Sequence, residues 1–297
     1  MRPATERDGP AVTALAAVAG GLGWWGIEQR NGPDRPDLAR FVETDGDEIV
    51  AYGCVWQRKA SGVFGLDTLV HPGHRGRGLG RKLIDRLFEE LGARGATAVE
   101  ARVDVDHADA LQFILRRGFF ELDRLERVRL DLDRPEDLES APEGVAITSL
   151  AEAGPAVVPA LHTLGNTAFS ERPIRYLEPF IESPLAQFER TLAAALPDGS
   201  FVATIGGEVI GFTGLMTGRE PGTLLAFMTA VHPDVRGRGI ARALKQRAIA
   251  WARRNGYRAI FSNSPNPDMQ ALNERLGFAR YAPTEIRMGR RLMPGPR

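Results

Sequence analysis

The amino-acid sequence predicts an α+β protein of two tandem domains, each a mixed, mostly antiparallel sheet flanked by helices. Three observations lead to this fold class. The length of 297 residues corresponds to two domains at roughly 150 residues each. Similar segments recur in the same order: VHP starts at 70 and again at 231, and RRGF ends at 119 where RLGF ends at 278. Within each half, strand-like apolar alternation is interspersed with the 3.6-residue period of helices.

A Pro-rich, acidic segment separates the two halves. DRPEDLESAPEG, residues 133–144, has no apolar periodicity and has the composition of a linker. The predicted organisation is an N-terminal domain over residues 1–135, a linker over 136–144 and a C-terminal domain over 145–297.

Each half is predicted to contain the same elements in the same order. A helix of small residues comes first, and a hairpin follows over 48–56 in the first half and over 201–215 in the second. A strand over 65–70 or 224–231 then leads into a helix, whose apolar positions in the first half are 79, 83, 84, 87, 88 and 91. A strand over 98–103 or 259–263 and a short helix follow. Alternating apolar residues predict a closing strand for the sheet of each half: Val128, Leu130 and Leu132 in the first, Ile286 and Met288 in the second.

The composition excludes several classes of protein. Lys plus Arg equals Asp plus Glu at 38 each, so neither a nucleic acid nor an anionic membrane is expected as a partner. Cys54 is the only cysteine, which excludes an intrachain disulfide and a cysteine-based zinc site and favours a cytoplasmic location. No metal is expected. The uncharged segment 11–27 is shorter than a membrane span and is interrupted by glycines.

A basic, glycine-rich turn occurs once in each half, between a predicted strand and a predicted helix. The two versions are VHPGHRGRGLG at 70–80 and VHPDVRGRGIA at 231–241. Free N–H groups at a helix start bind phosphate, and glycines allow the backbone to approach it closely. Cations oppose the helix dipole at this end, so their presence at both places indicates an anion site rather than a solvated helix start. The glycine spacing fits neither a P-loop nor a dinucleotide fingerprint.

The motif V-x-P-x-x-R-G-R-G-[LI]-[GA] resembles the acetyl-CoA-binding motif of GNAT-type N-acetyltransferases, and the chain resembles a tandem enzyme of that family. The resemblance implies acetyl-CoA as co-substrate, with the loop amides on its pyrophosphate and the preceding strand along its pantetheine arm. The residues implied at the coenzyme are Leu69, Val70, Arg75, Gly76, Arg77, Gly78, Leu79 and Gly80 in the first half, and Thr229, Ala230, Val231, Arg236, Gly237, Arg238, Gly239, Ile240, Ala241, Asn266 and Asn273 in the second.

The second half keeps more of the family's pattern. In NPDMQALNERLGF, residues 266–278, Asn266 matches the family's coenzyme-contacting Asn. Asn273 has the place of the Tyr that often protonates the leaving thiolate. The first half has His107 and Ile114 at these positions. The resemblance therefore favours the second domain for the chemistry, with the first as a weaker acetyl-CoA site or a structural partner.

The candidates for the other catalytic roles come from the same resemblance. Asp67 lies on the fourth strand of the first half, near the place of the family's acidic base, and Met228 stands there in the second half. FSERPIRYLEP, the segment that shapes the acceptor pocket in the family, contains Glu171, Tyr176 and Glu178. A strand N–H, that of Val70 or Val231, would hold the oxyanion. The predicted catalytic residues are Asp67, Glu171 and Asn273.

The sequence therefore predicts an acyltransferase that moves an acetyl group from acetyl-CoA to the amine of a small molecule, by direct attack on the thioester. Two alternatives stay open. One is N-acetylation of a protein or peptide. The other is a non-catalytic acyl-CoA-binding or sensor protein, a reading consistent with the tyrosine missing from both halves. A monomer or a homodimer is expected.

Overall fold

The computed structural model describes residues 1–20, 38–58, 62–133, 141–172, 177 and 180–292. The chain forms two compact α+β units, each a mixed sheet flanked by helices, which confirms the predicted fold class. Unit 1 comprises Met1–Asp123, Arg175–Glu178 and Ile286–Arg297, and unit 2 comprises Arg124–Ile174 and Pro179–Glu285, both with the gaps just given.

Unit 1 is built on a sheet in which one neighbouring pair runs parallel. In spatial order its strands are β1 Arg2–Pro3, β2 Leu38–Asp45, β3 Glu48–Gln57, β4 Val63–Val70, β5 Ala98–Asp104 and β13 Glu285–Arg291. β4 and β5 are parallel, whereas β1 to β4 are joined by antiparallel pairs. Its helices are α1 Gly9–Ala19, α2 Leu79–Ala93 and α3 Ala108–Leu115.

Unit 2 repeats this plan. In spatial order its strands are β6 Phe120–Asp131, β11 Ala259–Ser264, β10 Thr223–Val231, β9 Glu208–Thr217, β8 Phe201–Ile205 and β7 Ala146–Ser149, and β12 Ala279–Arg280 also pairs with β6. Its helices are α4 Leu150–Ala153, α5 Val158–Ser170, α6 Leu185–Leu192, α7 Ile240–Arg254 and α8 Pro267–Arg275. β10 and β11 form the parallel pair that corresponds to β4 and β5.

Each sheet is covered on both faces, as its residue pattern requires. In unit 1, Leu83, Leu87 and Leu91 of α2 are fully buried on one face, and Val12 and Leu15 of α1 pack on the other. Burying a side chain of this size stabilises the fold by about 1.5–3 kcal/mol. In unit 2, α7 and α8 share one core, and α5 lies on the opposite face. Both helices that follow a glycine-rich turn therefore lie where the sequence predicts them.

The closing strands are exchanged between the two halves of the chain. β6 comes from the first half, but it pairs with β11 of unit 2, with Asp131 opposite Ala259, and Val128 and Leu130 lie in the unit 2 core. β13 comes from the second half, and its Ile286 lies in the unit 1 core beside β5. The prediction that each half closes its own sheet is therefore wrong. The predicted linker overlaps residues 134–140, which lie outside the described residues, and its bounds stay a prediction.

The reason for the exchange is not visible in the apolar pattern. Both closing strands alternate in the same way, and this pattern fixes which face is buried but not which sheet receives the strand. Buried charges do discriminate between the sheets. Arg287 on β13 is largely buried in unit 1, where its Nη2 lies 2.6 Å from Asp123 Oδ2 and its Nη1 lies 3.5 Å from Glu100 Oε2. A buried charge without such partners costs several kcal/mol, so Glu100, which lies on β5, favours β13 beside that strand.

In the described part of the chain, no helix is long and apolar enough to span a membrane.

Candidate active site

The parallel strands of each unit separate after a short paired stretch, which opens a gap in the sheet. In unit 2 the pairing of β10 with β11 covers only Thr223–Leu225, so residues 226–231 continue without a β11 partner. In unit 1 the pairing of β4 with β5 runs from Val63 to Leu66, which leaves residues 67–70 beyond it. Backbone groups along these stretches are available to an extended ligand.

A β-bulge distinguishes the two gaps. The register between β9 and β10 shifts between Ala226 and Met228, so that Phe227 is the extra residue. The pairing of β3 with β4, both described in full, runs from Ala51 opposite Val70 to Gln57 opposite Phe64 without a shift. A bulge bends its strand and re-aims the residues that follow it. The gap in unit 2 is therefore shaped in a way that the gap in unit 1 is not.

The predicted oxyanion donors point towards these gaps. His71 N–H donates to the Val50 carbonyl on β3 at 2.8 Å, and His232 N–H donates to the Ile210 carbonyl on β9 at 2.8 Å. Successive peptide groups of a strand point to opposite edges. The preceding amides, those of Val70 and Val231, therefore point away from β3 and β9 towards the gaps.

The glycine-rich turns have the same backbone in both units. Gly76 and Gly78 have φ of +77° and +82°, and Gly237 and Gly239 have φ of +77° and +80°, a region that L-residues with a side chain avoid. Gly78 and Gly239 are the N-caps of α2 and α7, and no side chain of the described residues caps either helix. The first amides of a helix have no partner within it, so both turns present free N–H groups.

The space beside the glycines is open. Among the described residues, a Cβ on Gly76, Gly78 or Gly237 would meet no atom within 4 Å, and one on Gly239 would meet only Pro142 Cγ at 4.0 Å. These glycines are therefore not required by protein packing. They permit the left-handed backbone and leave the amides accessible to a ligand.

Two histidines that sequence reasoning did not single out shape the turns. His71 Nδ1 accepts a hydrogen bond from Gly73 N–H at 3.2 Å, and His232 Nδ1 accepts one from Asp234 N–H at 3.4 Å. Each imidazole caps the one-turn 3₁₀ helix, Pro72–His74 or Pro233–Val235, that leads into the glycines. The recurrence of VHP in the sequence is the signal that could have identified this role.

The four arginines of the two turns fall into two kinds. The first of each pair bonds to the protein: Arg75 Nε and Arg236 Nε donate to the carbonyls of Val70 and Val231 at 3.4 and 3.1 Å. All four side chains are exposed, so the difference lies in their hydrogen bonds. Arg238 Nη2 makes one long bond to the Glu143 carbonyl, at 3.4 Å. Arg77 has no side-chain partner among the described residues. Arg77 and Arg238 are therefore the freer cations.

The other residues implied at the coenzyme offer their backbone more than their side chains. Leu69, Ala230, Val231 and Ile240 are buried in the cores. A Cβ on Gly80 would lie 3.6 Å from Phe113 Cζ, an ordinary packing distance. These residues can contact a ligand only through main-chain groups.

The two asparagines of α8 differ in their hydrogen bonding. Asn266 is the N-cap, and its Oδ1 accepts from Asp268 N–H at 2.9 Å. Asn273 is 1% exposed, and its Oδ1 has no hydrogen-bond partner among the described residues. An unpaired buried polar atom costs about 1–3 kcal/mol and calls for a partner that the protein alone does not supply. His107 begins α3 in unit 1 without a side-chain cap bond.

The acid candidates lie in different surroundings. Asp67 is buried on β4, opposite Cys54, and Met228 is buried at the corresponding place on β10. Glu171 is the C-cap of α5, and its Oε2 lies 2.5 Å from Arg236 Nη2. Tyr176 and Glu178 lie outside the described residues.

Two side chains of α5 hold the segment that precedes α6. His162 Nε2 lies 2.6 Å from the Ser183 carbonyl oxygen, and Asn166 Oδ1 accepts from Ser183 N–H at 3.0 Å. His162 is therefore a structural residue, which holds the segment before α6 on the face of the sheet opposite α7.

A buried lysine is a further feature that sequence periodicity did not reveal. Lys245 of α7 is 4% exposed, and its Nζ lies 5.1 Å from the centre of the Phe278 ring. Among the described residues no acid pairs with it. Burial, which disfavours the charged form, lowers the pKa of Lys245 to about 8.

The doubled turn, the splayed parallel strands and the order of elements define an acetyltransferase of the GNAT class. Residues 23–119 and 162–278 match the acetyltransferase (GNAT) family. The chain belongs to this family, with two copies of its domain, and is an acetyl-CoA-dependent N-acetyltransferase.

Among its relatives are mycothiol acetyltransferases. That of Tsukamurella paurometabola is 32% identical over 248 residues, which cover 79% of this chain and 78% of the relative. That of Rhodococcus erythropolis is 28% identical and covers 94% and 90% of the two chains. A solved N-acetyltransferase from Sphaerobacter thermophilus has a TM-score of 0.81 at 21% identity over 99% and 96% of the two chains. A tandem GNAT protein from the clavulanic acid biosynthesis pathway has a TM-score of 0.71 at 20% identity over 99% and 98%.

Proposed function

We propose that the chain transfers the acetyl group of acetyl-CoA to the amine of a small molecule in the cytoplasm, and that unit 2 carries the reaction. The observation that carries the choice of unit 2 is the bulge at Phe227, for which β4 has no counterpart. Bulges are over-represented beside active sites because they re-aim the residues that follow. The relatives named mycothiol acetyltransferases support a small-molecule acceptor.

The proposed reaction is a direct attack on the thioester. The lone pair of the neutral amine bonds to the thioester carbonyl carbon, and the resulting oxyanion accepts a hydrogen bond from Val231 N–H. The C–S bond then breaks, coenzyme A leaves as a thiolate, and the proton lost from nitrogen passes to the thiolate or to water. Because a thiol has a pKa of about 8.5, it leaves without an acid. The absent tyrosine therefore slows this step, by at most about 10²–10⁴-fold, without stopping it.

β10 has no carboxylate that could act as a general base, and this limits how basic the acceptor amine can be. Met228 provides no base, and the carboxylate of Glu171 is engaged by Arg236. A lysine-like amine, with a pKa near 10.4, is almost fully protonated at neutral pH and needs a base. A less basic amine needs little help. This favours a weakly basic small-molecule amine over a lysine side chain, and leaves a peptide N-terminus as the alternative acceptor.

The coenzyme site that we propose uses the turn amides of residues 237–240, the guanidinium of Arg238 and the strand backbone of residues 229–231. Asn266 keeps its side-chain N–H groups for the ligand, because its Oδ1 is used by the helix cap. The unpaired Oδ1 of Asn273 is suited to accept from a ligand N–H or S–H. The equivalent turn in unit 1 is a second, weaker site in this proposal.

Replacement of Asn273 tests its role as a ligand contact. Its Oδ1 makes no hydrogen bond to the described residues, so Asn273→Leu, of similar size, should raise the free energy of unfolding by about 1–3 kcal/mol, because it removes an unpaired buried polar atom. Coenzyme A affinity should fall about five- to tenfold through loss of one hydrogen bond. Calorimetric titration and urea unfolding measure the two effects. Unchanged affinity would remove Asn273 from the site.

Ligand-induced stabilisation and turnover test the function as a whole. Saturating acetyl-CoA should raise the melting temperature, because a ligand that binds only the folded state stabilises it, whereas NADH should not. Thiol release is then followed with the acceptor of the mycothiol acetyltransferases, with glucosamine and with a peptide that has a free N-terminus. We expect release with a small-molecule amine. Release with the peptide alone would support the peptide alternative, and binding without any release would support a sensor.

A further inference from the structure

The first arginine of each glycine-rich turn makes the same two connections in both units. In unit 1, Arg75 Nε donates to the Val70 carbonyl at 3.4 Å, and its Nη2 donates to the Ala19 carbonyl at 2.9 Å. In unit 2, Arg236 Nε donates to the Val231 carbonyl at 3.1 Å, and its Nη2 lies 2.5 Å from Glu171 Oε2. Ala19 is the last residue of α1, and Glu171 is the C-cap of α5. Each guanidinium thus joins a strand end to the end of the unit's first long helix.

These connections set the first arginine apart from the second. Two nitrogens of Arg75 and of Arg236 have protein partners, whereas Arg238 uses one nitrogen, on the Glu143 carbonyl, and Arg77 has no side-chain partner among the described residues. A planar guanidinium has its donors in a fixed fork. Once its Nε and Nη2 are aligned on two protein oxygens, its orientation is determined, and it is not free to turn towards a phosphate.

The ion pair between Arg236 and Glu171 affects the relative positions of β10 and α5 more than it affects the free energy of unfolding. Arg236 and Glu171 have side chains that are 47% and 41% exposed, and an ion pair this exposed contributes little to folding. The residues it joins are significant. Val231 bears the proposed oxyanion donor. Glu171 ends α5, and two other side chains of α5, those of His162 and Asn166, hold the segment that precedes α6.

We propose that Arg236 and Glu171 are positioning residues. They fix the C-terminal end of α5, which leads into the segment implied at the acceptor pocket, relative to the C-terminal end of β10, which bears the proposed oxyanion donor. Arg236 is then not a pyrophosphate ligand, and Glu171 is not the base. The proposal deepens the proposed function and rests on it in one respect, namely that unit 2 carries the reaction. Arg75 and Ala19 make the corresponding connection in unit 1 through a main-chain oxygen, which requires no acidic side chain.

The test compares Arg236→Met and Glu171→Gln with Arg238→Met, and uses Arg247→Met, an exposed residue of α7, as the control for loss of a surface charge. Calorimetry with coenzyme A should show a Kd near the wild-type value for the first two variants and a rise of about tenfold for Arg238→Met. In turnover assays with the acceptor of the mycothiol acetyltransferases, Arg236→Met and Glu171→Gln should each raise the KM for the acceptor or lower kcat by about tenfold. Their double variant should lose no more than either alone.

Hydrogen exchange tests the connection without relying on turnover. Glu171 N–H donates to the Thr167 carbonyl at 3.2 Å, and Arg236→Met should speed exchange in this last turn of α5. Arg75→Met should do the same in the last turn of α1. A rise in coenzyme Kd with Arg236→Met equal to that with Arg238→Met, or unchanged exchange in both helix ends, would overturn the proposal. If exchange responds but the wild type turns over no amine, the proposed function fails and the connection stands.

Discussion

Gly239→Val is expected to lower the affinity for coenzyme A by about 100-fold or more. Gly239 has a φ of +80° and is the last residue before α7, and a β-branched residue is strained there by about 1–2 kcal/mol. Its side chain would also cover free amides at the helix start, whose hydrogen bonds to a charged phosphate are worth about 1.5–3 kcal/mol each. Loss of one or two such hydrogen bonds reaches about 3 kcal/mol, which corresponds to the stated fold-change. The strain is present with and without the ligand, so it lowers the free energy of unfolding instead. Calorimetric titration measures the loss of affinity.

Gly78→Val is the matched variant in unit 1. Gly78 has a φ of +82°, and a Cβ there meets no atom of the described residues within 4 Å, so the strain and the local effect on the turn are the same as in unit 2. The main coenzyme affinity should survive it, because we assign that site to unit 2. A melting curve for each variant separates loss of binding from loss of folding. A loss from Gly78→Val equal to or larger than that from Gly239→Val would move the main site to unit 1.

Lys245→Met is expected to stabilise the protein at pH 7 by about 2 kcal/mol. Burial lowers the pKa of Lys245 from 10.5 in the unfolded chain to about 8 in the folded one. This difference corresponds to a destabilisation on the order of 3 kcal/mol wherever both states are protonated, that is, below pH 8. Met has a similar shape without the charge, and it forgoes a contact with the Phe278 ring worth about 1 kcal/mol. Urea unfolding of both proteins measures the net effect.

The difference in stability between the wild type and Lys245→Met should change with pH in a defined direction. Between pH 8 and 10.5 the unfolded chain retains a proton that the folded chain has lost, so the wild type becomes more stable as pH rises through this window. The advantage of Lys245→Met should therefore shrink between pH 7 and pH 9.5. Using the difference between the two proteins removes the contribution of other groups that titrate there. A wild type more stable than the variant at pH 7, or a difference independent of pH, would contradict a buried and unpaired lysine.

The parts of the fold that were predictable depend on local patterns. The strand before each turn, the helix after it and the left-handed glycines follow from apolar spacing and from glycine itself. The exchange of β6 and β13 does not, because both strands have the same alternation, and the contact that favours β13 beside β5 joins Arg287 to Glu100 only in the folded state. The bulge at Phe227 was equally hidden, since one extra residue in a strand leaves the apolar content unchanged.

In the candidate site, too, some features can be predicted from local sequence patterns and others cannot. Free amides at a helix start, and the glycines that expose them, can be inferred from a motif because they depend on neighbouring residues. The partner of a long side chain cannot. RGRG presents two similar arginines in sequence, but only the three-dimensional structure joins Arg236 to Glu171. Lys245 was missed because it flanks the apolar positions of α7, and helical spacing alone does not show that a flanking position is enclosed.

Because β6 and β13 are exchanged, neither half of the gene encodes a self-sufficient protein. A polypeptide ending near residue 135 would lack the neighbour of β5 and would carry a β6 without its β11 partner. Strands left unpaired in this way recruit other chains, so two copies could satisfy each other only by reciprocal donation, at a concentration high enough for them to meet. A single chain that carries both halves makes that donation intramolecular and independent of concentration.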